Sequence, residues 1–337
     1  MKAKAIVIAG PKKAEIVDTK VPLVEAGEVL CRTFYTGISP GTELMRFLTT
    51  EPGIKMNKIS LPFITGYLNV GEIVEVGPDV KRLKVGDIIN VASRVKPGKL
   101  AIYNGAHVEY CVTNGNDVHN IKCAENPRET VFGVIPHVGM GVVARARPTV
   151  NSTVCVLGLG IIGLGCVRAF ALHGCREIVA IDPIAHRREI ASLLGATATY
   201  PGGDETIEKL IGDSKRGRFD IVVEASGNSE VLKHAIRLAR QNVYITSYYY
   251  KPIEELELAW KFHSCNMQLI ACKGGDVLPF AYHLANAGLF NITALISDVI
   301  PPEDAPWAYW EMLSNPTEHL AFLVDWRKGA RRERLWN

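Results

Sequence analysis

Val154-Cys155-Val156-Leu157-Gly158-Leu159-Gly160-Ile161-Ile162-Gly163 is the stretch that decides how this chain folds. Its first four residues form a short apolar run, the pattern of a strand covered on both faces. The glycines follow at G-x-G-x-x-G spacing and open a run of small and apolar residues, 161–172, that reads as a helix. Nineteen residues past Gly163 the next apolar run, 178–181, ends on Asp182. In a strand, turn and helix of this form, Gly158 permits the tight turn and Gly160 lets the backbone approach a pyrophosphate. Gly163 lets helix and strand pack closely. Leu159, Ile161 and Ile162 complete the loop, and the helix N-terminus offers N–H groups and partial positive charge to phosphates. An acid at Asp182 accepts the adenosine ribose hydroxyls and repels a 2′-phosphate, which predicts NAD rather than NADP. Arg187 and Arg188 complicate that choice, because either can lie beside the ribose.

Strand and helix patterns keep alternating beyond this stretch. Residues 177–181, 219–223 and 243–247 read as strands, with helices at 185–194 and 230–238. Such alternation predicts right-handed crossovers and an α/β fold with a doubly wound parallel sheet. Upstream, residues 130–146 read as a helix broken near Pro136. The first third differs: short strands at 3–9, 28–36, 70–76, 87–92 and around 106–112 are punctuated by turns at Gly77-Pro78-Asp79 and Lys96-Pro97-Gly98. That pattern predicts a compact β-rich unit. After Met267 come a short strand, a helix near 277–287, a start at Pro301-Pro302-Glu303-Asp304, and a helix carrying Trp307 and Trp310. The arginine-rich tail, 326–337, reads as a solvated or subunit-contacting end.

Composition bounds the function classes. The chain has 337 residues, 47% of them apolar and 22% charged, an ordinary globular balance that suits about two domains. A net charge of +3 is too weak to argue for nucleic acid or an acidic membrane. No apolar run approaches the roughly 18 residues of a membrane-spanning helix. The start, MKAKAIVIAG, is too short and too strand-like for a signal peptide. The expectation is a cytoplasmic protein. The eight cysteines, at 31, 111, 123, 155, 166, 175, 265 and 272, contain no C-x-x-C pair, which argues against a zinc ribbon and for buried, reduced thiols.

Further segments resemble the medium-chain dehydrogenase/reductase superfamily, the alcohol dehydrogenase-like enzymes. Gly71-Glu72-Ile73-Val74-Glu75-Val76-Gly77 with Val85-Gly86-Asp87 resembles the signature of their β-rich domain, and Gly105-Ala106-His107-Val108-Glu109-Tyr110 resembles the approach to its last strand. Phe219-Asp220-Ile221-Val222-Val223-Glu224-Ala225-Ser226-Gly227 resembles a later strand of their Rossmann domain. The resemblance implies a GroES-like catalytic domain at 1–127, a Rossmann NAD-binding domain at 128–266 and a return to the catalytic domain at 267–337, with the active site in the cleft between them. It implies that Ala225, Ser226, Ser247 and Tyr248 border the cofactor, and that the chain forms a homodimer or homotetramer. Tyr248-Tyr249-Tyr250 follows the strand expected beneath the nicotinamide, and one of the three walls the pocket. A core position is the better expectation for Phe262 and His263.

The departures from that family are specific. Zinc members place a cysteine ligand where this chain has Ser39, in Gly37-Ile38-Ser39-Pro40-Gly41-Thr42-Glu43, and a histidine where it has Tyr67. Counted back without gaps from Gly158, the third ligand position falls on Gly133. The cysteine-rich lobe of a structural zinc is missing. A catalytic zinc takes three protein ligands, and serine, tyrosine and glycine do not supply that set, so no metal is expected. Glu43 and His137 are nominal ligands, but two do not make a site. The segment looks like a zinc-free branch that includes sequences similar to bacteriochlorophyllide dehydrogenases.

Four residues are candidates for the chemistry. Thr42 falls where family members keep a proton-relaying hydroxyl, and reads equally as a helix cap. Tyr67 replaces a metal ligand, so its hydroxyl either points at the substrate or fills the vacated space. His137 falls where family members contact the nicotinamide, and either shuttles a proton or is a buried, backbone-bonded histidine. Lys273 either faces an alkoxide or is a surface lysine at a turn. The leading expectation is an NAD-dependent, zinc-independent oxidoreductase acting on a secondary alcohol, whether a polyol, a sugar derivative or a biosynthetic intermediate. The alternatives are an enzyme that retains NAD and uses transient oxidation for elimination or epimerisation, an NAD(P)H-dependent ene or quinone reductase, and a non-catalytic nucleotide-sensing protein.

Overall fold

A computed structural model describes residues 2–91, 100–117, 121–122, 125–212, 218–249, 253, 256 and 259–336. The turn at Lys96-Pro97-Gly98, Cys123 and Tyr250 lie outside the described residues. The chain divides into two compact units, Met1–Gly133 with Tyr282–Asn337, and Val134–Ala281.

The first unit is β-rich. Its central strand, Glu28–Ile38, runs antiparallel to Asn69–Val76, with Cys31 opposite Ile73, and to Tyr110–Asn114, with Cys31 opposite Cys111. Beyond Tyr35 its other edge takes Phe322–Asp325, with Ile38 opposite Phe322. The chain therefore returns late to complete a sheet begun early. A smaller sheet joins Lys2–Gly10 to Lys13–Lys20 and Phe63–Ile64. Ile6, Ile8, Ile38, Phe47, Phe63, Tyr309 and Phe322 share one buried cluster. Each such aromatic or aliphatic side chain contributes roughly 1.5–3 kcal/mol when fully buried.

The helix Pro40–Phe47 sits against this core. Pro40 stands at its start, behind Ser39 as the N-cap residue, and proline suits that position because the first N–H groups have no helical partner. Glu43, Arg46 and Phe47 fall on one face by their spacing of three and four, and all three are buried. Two of these three inward residues are charged, a costly arrangement unless both are paired.

The second unit is the α/β expectation realised. Its parallel sheet has the order Ala198–Tyr200, Glu177–Ile181, Thr153–Leu157, Phe219–Glu224, Ala239–Ile245, Gln268–Ala271. The helices Ile161–His173, Ala185–Leu193, Asp204–Ile211 and Ser229–Leu238 lie between strands in sequence. The strand order reverses between Thr153–Leu157 and Phe219–Glu224, and ligands of such sheets bind beyond the strand C-termini at that switch point.

Three local expectations are corrected. The helical stretch upstream of the sheet breaks at 131–133, and Pro136 lies in the first turn of Val134–Ala146, where a missing N–H costs nothing. Thr42 does not cap its helix: Ser39 holds the N-cap position and Thr42 lies inside the first turn. His263 is exposed, although Phe262 packs against the core of the second unit. The arginine-rich tail is largely exposed and is tied down at a few points. Glu333–Arg334 pairs with Asp298–Ile300, Arg334 bonds Asp298 at 2.9 Å, and Arg332 lies over the Trp307 ring. Of the cysteines described, all but the half-buried Cys265 are buried, and none is disulfide-bonded.

Candidate functional site

Two clusters carry chemistry, one in each unit. In the second unit, the glycine loop joins Thr153–Leu157 to the helix Ile161–His173. Gly158 has φ +87°, and a Cβ there would lie 2.7 Å from the Ser226 nitrogen. A Cβ on Gly163 would fall 1.8 Å from the Gly158 carbonyl oxygen and 3.3 Å from the Cβ of Ala225. Gly160 is different: a Cβ there would meet nothing within 4 Å. The protein's own packing does not demand glycine at 160. The open space lies at the N-cap of a 13-residue helix, where an anion can come against backbone N–H groups. Leu159 and Ile161 are buried, and Ile162 is half-buried on the first turn.

Asp182 follows Glu177–Ile181 directly and is buried. Its Oδ2 accepts the Leu159 N–H at 2.8 Å and its Oδ1 accepts the Ile184 N–H at 2.9 Å. The carboxylate is thus fixed to the glycine loop, and each oxygen keeps a lone pair for a further donor. Arg188 is turned to the backbone, with Nη1 donating to the carbonyls of Asp182 and Pro183, both at 2.8 Å. Arg187 is half-buried, and burial pulls its guanidinium below the usual arginine range against the pull of Asp182.

Glu224 is a residue that sequence reasoning left without a role. It ends the strand Phe219–Glu224 fully buried. Its carboxylate accepts the N–H groups of Ser226 at 2.7 Å and Gly227 at 3.2 Å, and the hydroxyls of Ser226, Ser247 at 3.0 Å, and Tyr249. One carboxylate therefore ties together the two loops expected to border a dinucleotide. Burial and Glu224 push the Tyr249 phenol up. Of the tyrosines that follow the strand, Tyr248 is exposed. An acid ending an apolar strand was the available signal for Glu224.

His137 is half-buried on the helix Val134–Ala146. Its Nε2 lies 2.9 Å from the Gly275 carbonyl oxygen and 3.2 Å from the Gly275 nitrogen. A Cβ on Gly274 (φ +109°) would lie 2.5 Å from the same ring. His137 thus holds the turn that carries Lys273, whose side chain is exposed.

The first unit supplies a hydroxyl cluster. The Ser39 and Tyr67 hydroxyl oxygens are 2.5 Å apart, and the Thr42 hydroxyl acts weakly on the Tyr67 phenol, lowering it. Ser39 is buried, while Thr42 and Tyr67 are half-buried. Burial pushes the Tyr67 phenol up, and the nearby Glu43 carboxylate adds to this. Beneath the cluster lies a buried charge network. Glu43, without solvent exposure, accepts Arg46 Nη1 at 3.2 Å, Thr65 Oγ1 at 2.9 Å and the Tyr309 hydroxyl at 2.5 Å. Burial alone would raise the Glu43 carboxyl, but the Arg46 charge, with His107 and Tyr309, outweighs it and holds the group at about 2. His107 Nδ1 pairs with Thr36 Oγ1 at 2.8 Å, and its Nε2 lies 3.8 Å from Glu43.

This donor set does not fit a zinc ion. Ser39 and Tyr67 spend their hydroxyls on each other, and a phenol pushed up by burial is a poor anionic ligand. Gly133 has no donor, and a Cβ there would fall 2.1 Å from the Tyr282 ring. Glu43 is committed to Arg46, Thr65 and Tyr309, and it and His137 belong to different units. Among the described residues, no three of His, Cys, Asp and Glu group to hold a metal. The glycine loop with Asp182, by contrast, fits a dinucleotide. Among the same residues no helix is long and apolar enough to cross a membrane.

Comparison with known proteins agrees with both halves. Residues 25–123 match the alcohol dehydrogenase GroES-like domain, and residues 162–247 match the zinc-binding dehydrogenase domain. An L-threonine 3-dehydrogenase of Caldanaerobacter subterraneus subsp. tengcongensis is 27% identical over 66% of this chain and 69% of its own. A probable D-xylulose reductase A of Arthroderma otae is 25% identical over 91% of this chain and 93% of its own. Two crystal structures share the fold, each covering 96% of this chain and 99% of its own with a TM-score of 0.81. One, 19% identical, is described as a short chain alcohol dehydrogenase from E. coli CFT073 complexed with NADH. The other, 22% identical, is a zinc-binding dehydrogenase of Sinorhizobium meliloti 1021 bound to NADP.

Proposed function

Since the chain belongs to the medium-chain dehydrogenase/reductase superfamily, we propose that it interconverts a secondary alcohol and its ketone with NAD, and does so without zinc. The observation that carries this reading is the Ser39–Tyr67 hydroxyl pair, 2.5 Å apart at two positions where zinc members have metal ligands. Bound nicotinamide supplies or accepts the hydride. The protein's task is then to bind and orient the dinucleotide and to handle the proton on the substrate oxygen.

Asp182 receives the ribose hydroxyls with both carboxylate oxygens already aimed by Leu159 and Ile184. Gly160 leaves the approach for the pyrophosphate. Glu224 holds Ser226 and Ser247 in place at the strand ends. In the reducing direction Tyr67 Oη donates its proton to the nascent alkoxide, a much stronger base than a phenolate, and a proton from solvent, relayed through the Ser39 or Thr42 hydroxyl, restores Tyr67. In the oxidising direction the same hydroxyls carry the proton away. His137 fixes the 273–275 turn, leaving Lys273 free to offer a positive charge to the substrate. Arg188 is spent on the backbone, which supports NAD over NADP. The hydroxyl groups of Ser39, Thr42 and Tyr67 suit a polar substrate such as a polyol, sugar derivative or biosynthetic intermediate. By the same resemblance we read the protein as a cytoplasmic homodimer or homotetramer.

The test is a panel of secondary alcohols and ketones assayed with NAD(H) and NADP(H) after exhaustive chelation, beside metal analysis of the purified protein. Turnover with NAD(H) at less than about 0.1 zinc per chain is the expected result. Activity that disappears on chelation and returns with zinc would sink it.

A further inference from the structure

Arg46 has no part in the family resemblance, yet its side chain is engaged on every side by charged, polar and aromatic neighbours. It projects inward from the helix Pro40–Phe47 with its side chain 4% exposed. Its Nη1 lies 3.2 Å from Glu43 Oε1, its Nε lies 3.0 Å from Glu51 Oε2, and its Nη2 donates to Asn104 Oδ1 at 2.6 Å. The guanidinium also lies against two aromatic rings, 4.4 Å from the Tyr103 centroid and 5.3 Å from that of Tyr67. A cation at these distances is attracted to the ring face, and far more strongly to a phenolate than to a phenol.

We propose that Arg46 is the positive charge of the substrate-oxygen site: a positioning residue whose guanidinium, laid against the Tyr67 ring, stabilises the phenolate left when Tyr67 passes its proton to the substrate. The inference rests on the function proposed above for Tyr67. In the reducing direction the carbonyl carbon gains a hydride from the reduced nicotinamide and the C=O π bond breaks. The Tyr67 O–H bond breaks, a new O–H forms on the substrate, and the dinucleotide leaves oxidised. The negative charge on Tyr67 persists until Ser39 or Thr42 relays a proton to it.

The charges facing this ring explain why a buried cation is needed. Tyr67 is bonded by the Ser39 hydroxyl, is lowered further by that of Thr42, and lies between the opposing influences of Glu43 and Arg46. Glu43 is fully buried and ionised, and is backed by Thr65, Tyr309 and, at 3.8 Å, His107. Glu51 flanks Arg46 from the other side and also accepts the Tyr103 hydroxyl at 2.8 Å. Without Arg46, the Glu43 carboxylate would hold the proton on Tyr67. Arg46 both neutralises that carboxylate and faces the ring.

The experiment is a carbon-13 NMR titration of protein labelled at tyrosine Cζ, with the Tyr67 signal assigned by its loss in Tyr67→Phe. In Arg46→Met the Tyr67 midpoint is expected to rise by a pH unit or more, a tenfold loss of acidity. Arg46→Lys restores at least half of that rise. Because Arg46→Met strands a buried carboxylate and risks failing to fold, Glu43→Gln is titrated beside it, and there the Tyr67 midpoint is expected to fall. Midpoints that stay within 0.3 pH units (about twofold) in whichever of these variants fold would overturn the proposal. The titration needs no substrate, so the Arg46–Tyr67 coupling is decided even if no alcohol or ketone is turned over. The latter failure would defeat the proposed function instead.

Discussion

The hydroxyls of Ser39 and Tyr67 meet at 2.5 Å although the residues stand 28 apart in the chain. Ser39 stands at the N-cap position of the helix Pro40–Phe47, and Tyr67 lies on the short turn between Phe63–Ile64 and Asn69–Val76. The contact gives the first unit one proton-bearing locus, and it is also where a metal ion would compete with that proton.

Removing the Tyr67 hydroxyl should therefore cost chemistry rather than folding. Tyr67→Phe is expected to lower kcat by about 10²–10⁴, the usual range for a general acid–base group. Affinity for NADH, read by fluorescence titration, should stay the same. Ser39→Ala should cost less, because the Thr42 hydroxyl also acts on the phenol. Wild-type turnover in Tyr67→Phe would remove the phenol from the mechanism.

The Glu43 carboxyl sets a pH dependence of stability. Its folded-state value of about 2 lies below the ordinary 4.5. A carboxyl lowered on folding stabilises the protein above its unfolded value, and that contribution fades as pH falls from about 4.5 towards 2. It amounts to on the order of 3 kcal/mol. Glu43→Gln should unfold at lower urea than the wild type at pH 7, with the gap narrowing between pH 5 and pH 3. A gap that is constant over this range would show that Glu43 is not held ionised by its partners.

Asp182 makes a prediction about cofactor choice. Asp182→Gly removes the ribose acceptors and the charge that excludes a 2′-phosphate, so NADH affinity should drop by about ten- to a hundredfold, given roughly 1.5–3 kcal/mol for hydrogen bonds to a charged group. NADPH affinity should hold or rise, since Arg187 stands nearby. Competitive fluorescence titrations decide it, and parallel losses for both dinucleotides would contradict it.

Two glycines of one loop should respond in opposite ways. A Cβ on Gly163 strikes the Gly158 carbonyl, which is backbone and cannot rotate away. Gly163→Ala should cost about 1–3 kcal/mol of overpacking strain and lower the Tm by several degrees. Gly160→Ala meets open space, so its Tm should match the wild type while dinucleotide affinity falls. Thermal melts with and without NADH separate the two, and an equal loss of Tm in both would show that Gly160 is there for packing.

Much of the second unit was legible because its signals are local. The glycine spacing, the apolar strand before it and the acid after the next strand all act within one strand–helix–strand unit, where steric demands of turn and helix are set by neighbours in sequence. The 131–133 break and the true start of the helix at Val134 were misread because a proline in a first turn leaves the same trace as one that breaks a helix. Glu224 belongs to a strand pattern in the sequence, but its five donors come from two loops. Of the three tyrosines in a row, Tyr248 is exposed while Tyr249 turns inward to that carboxylate. Which of adjacent tyrosines points inward depends on the exit angle of the chain from the sheet, and no periodicity states it.

What the sequence by itself determined is the kind of protein: a parallel α/β unit with a glycine loop and an acid placed for a dinucleotide, and a β-rich unit. These follow from backbone sterics and side-chain chemistry, which belong to each residue. What only the tertiary structure decided is how the first unit manages charge. Glu43 and Arg46 look like an ordinary solvated helix pair until Thr65, Tyr309, Tyr67 and Tyr103, drawn from distant parts of the chain, close over them. Burial converts a pair worth little in water into a fixed internal field, because the low dielectric and the exclusion of water exist only once those segments have come together.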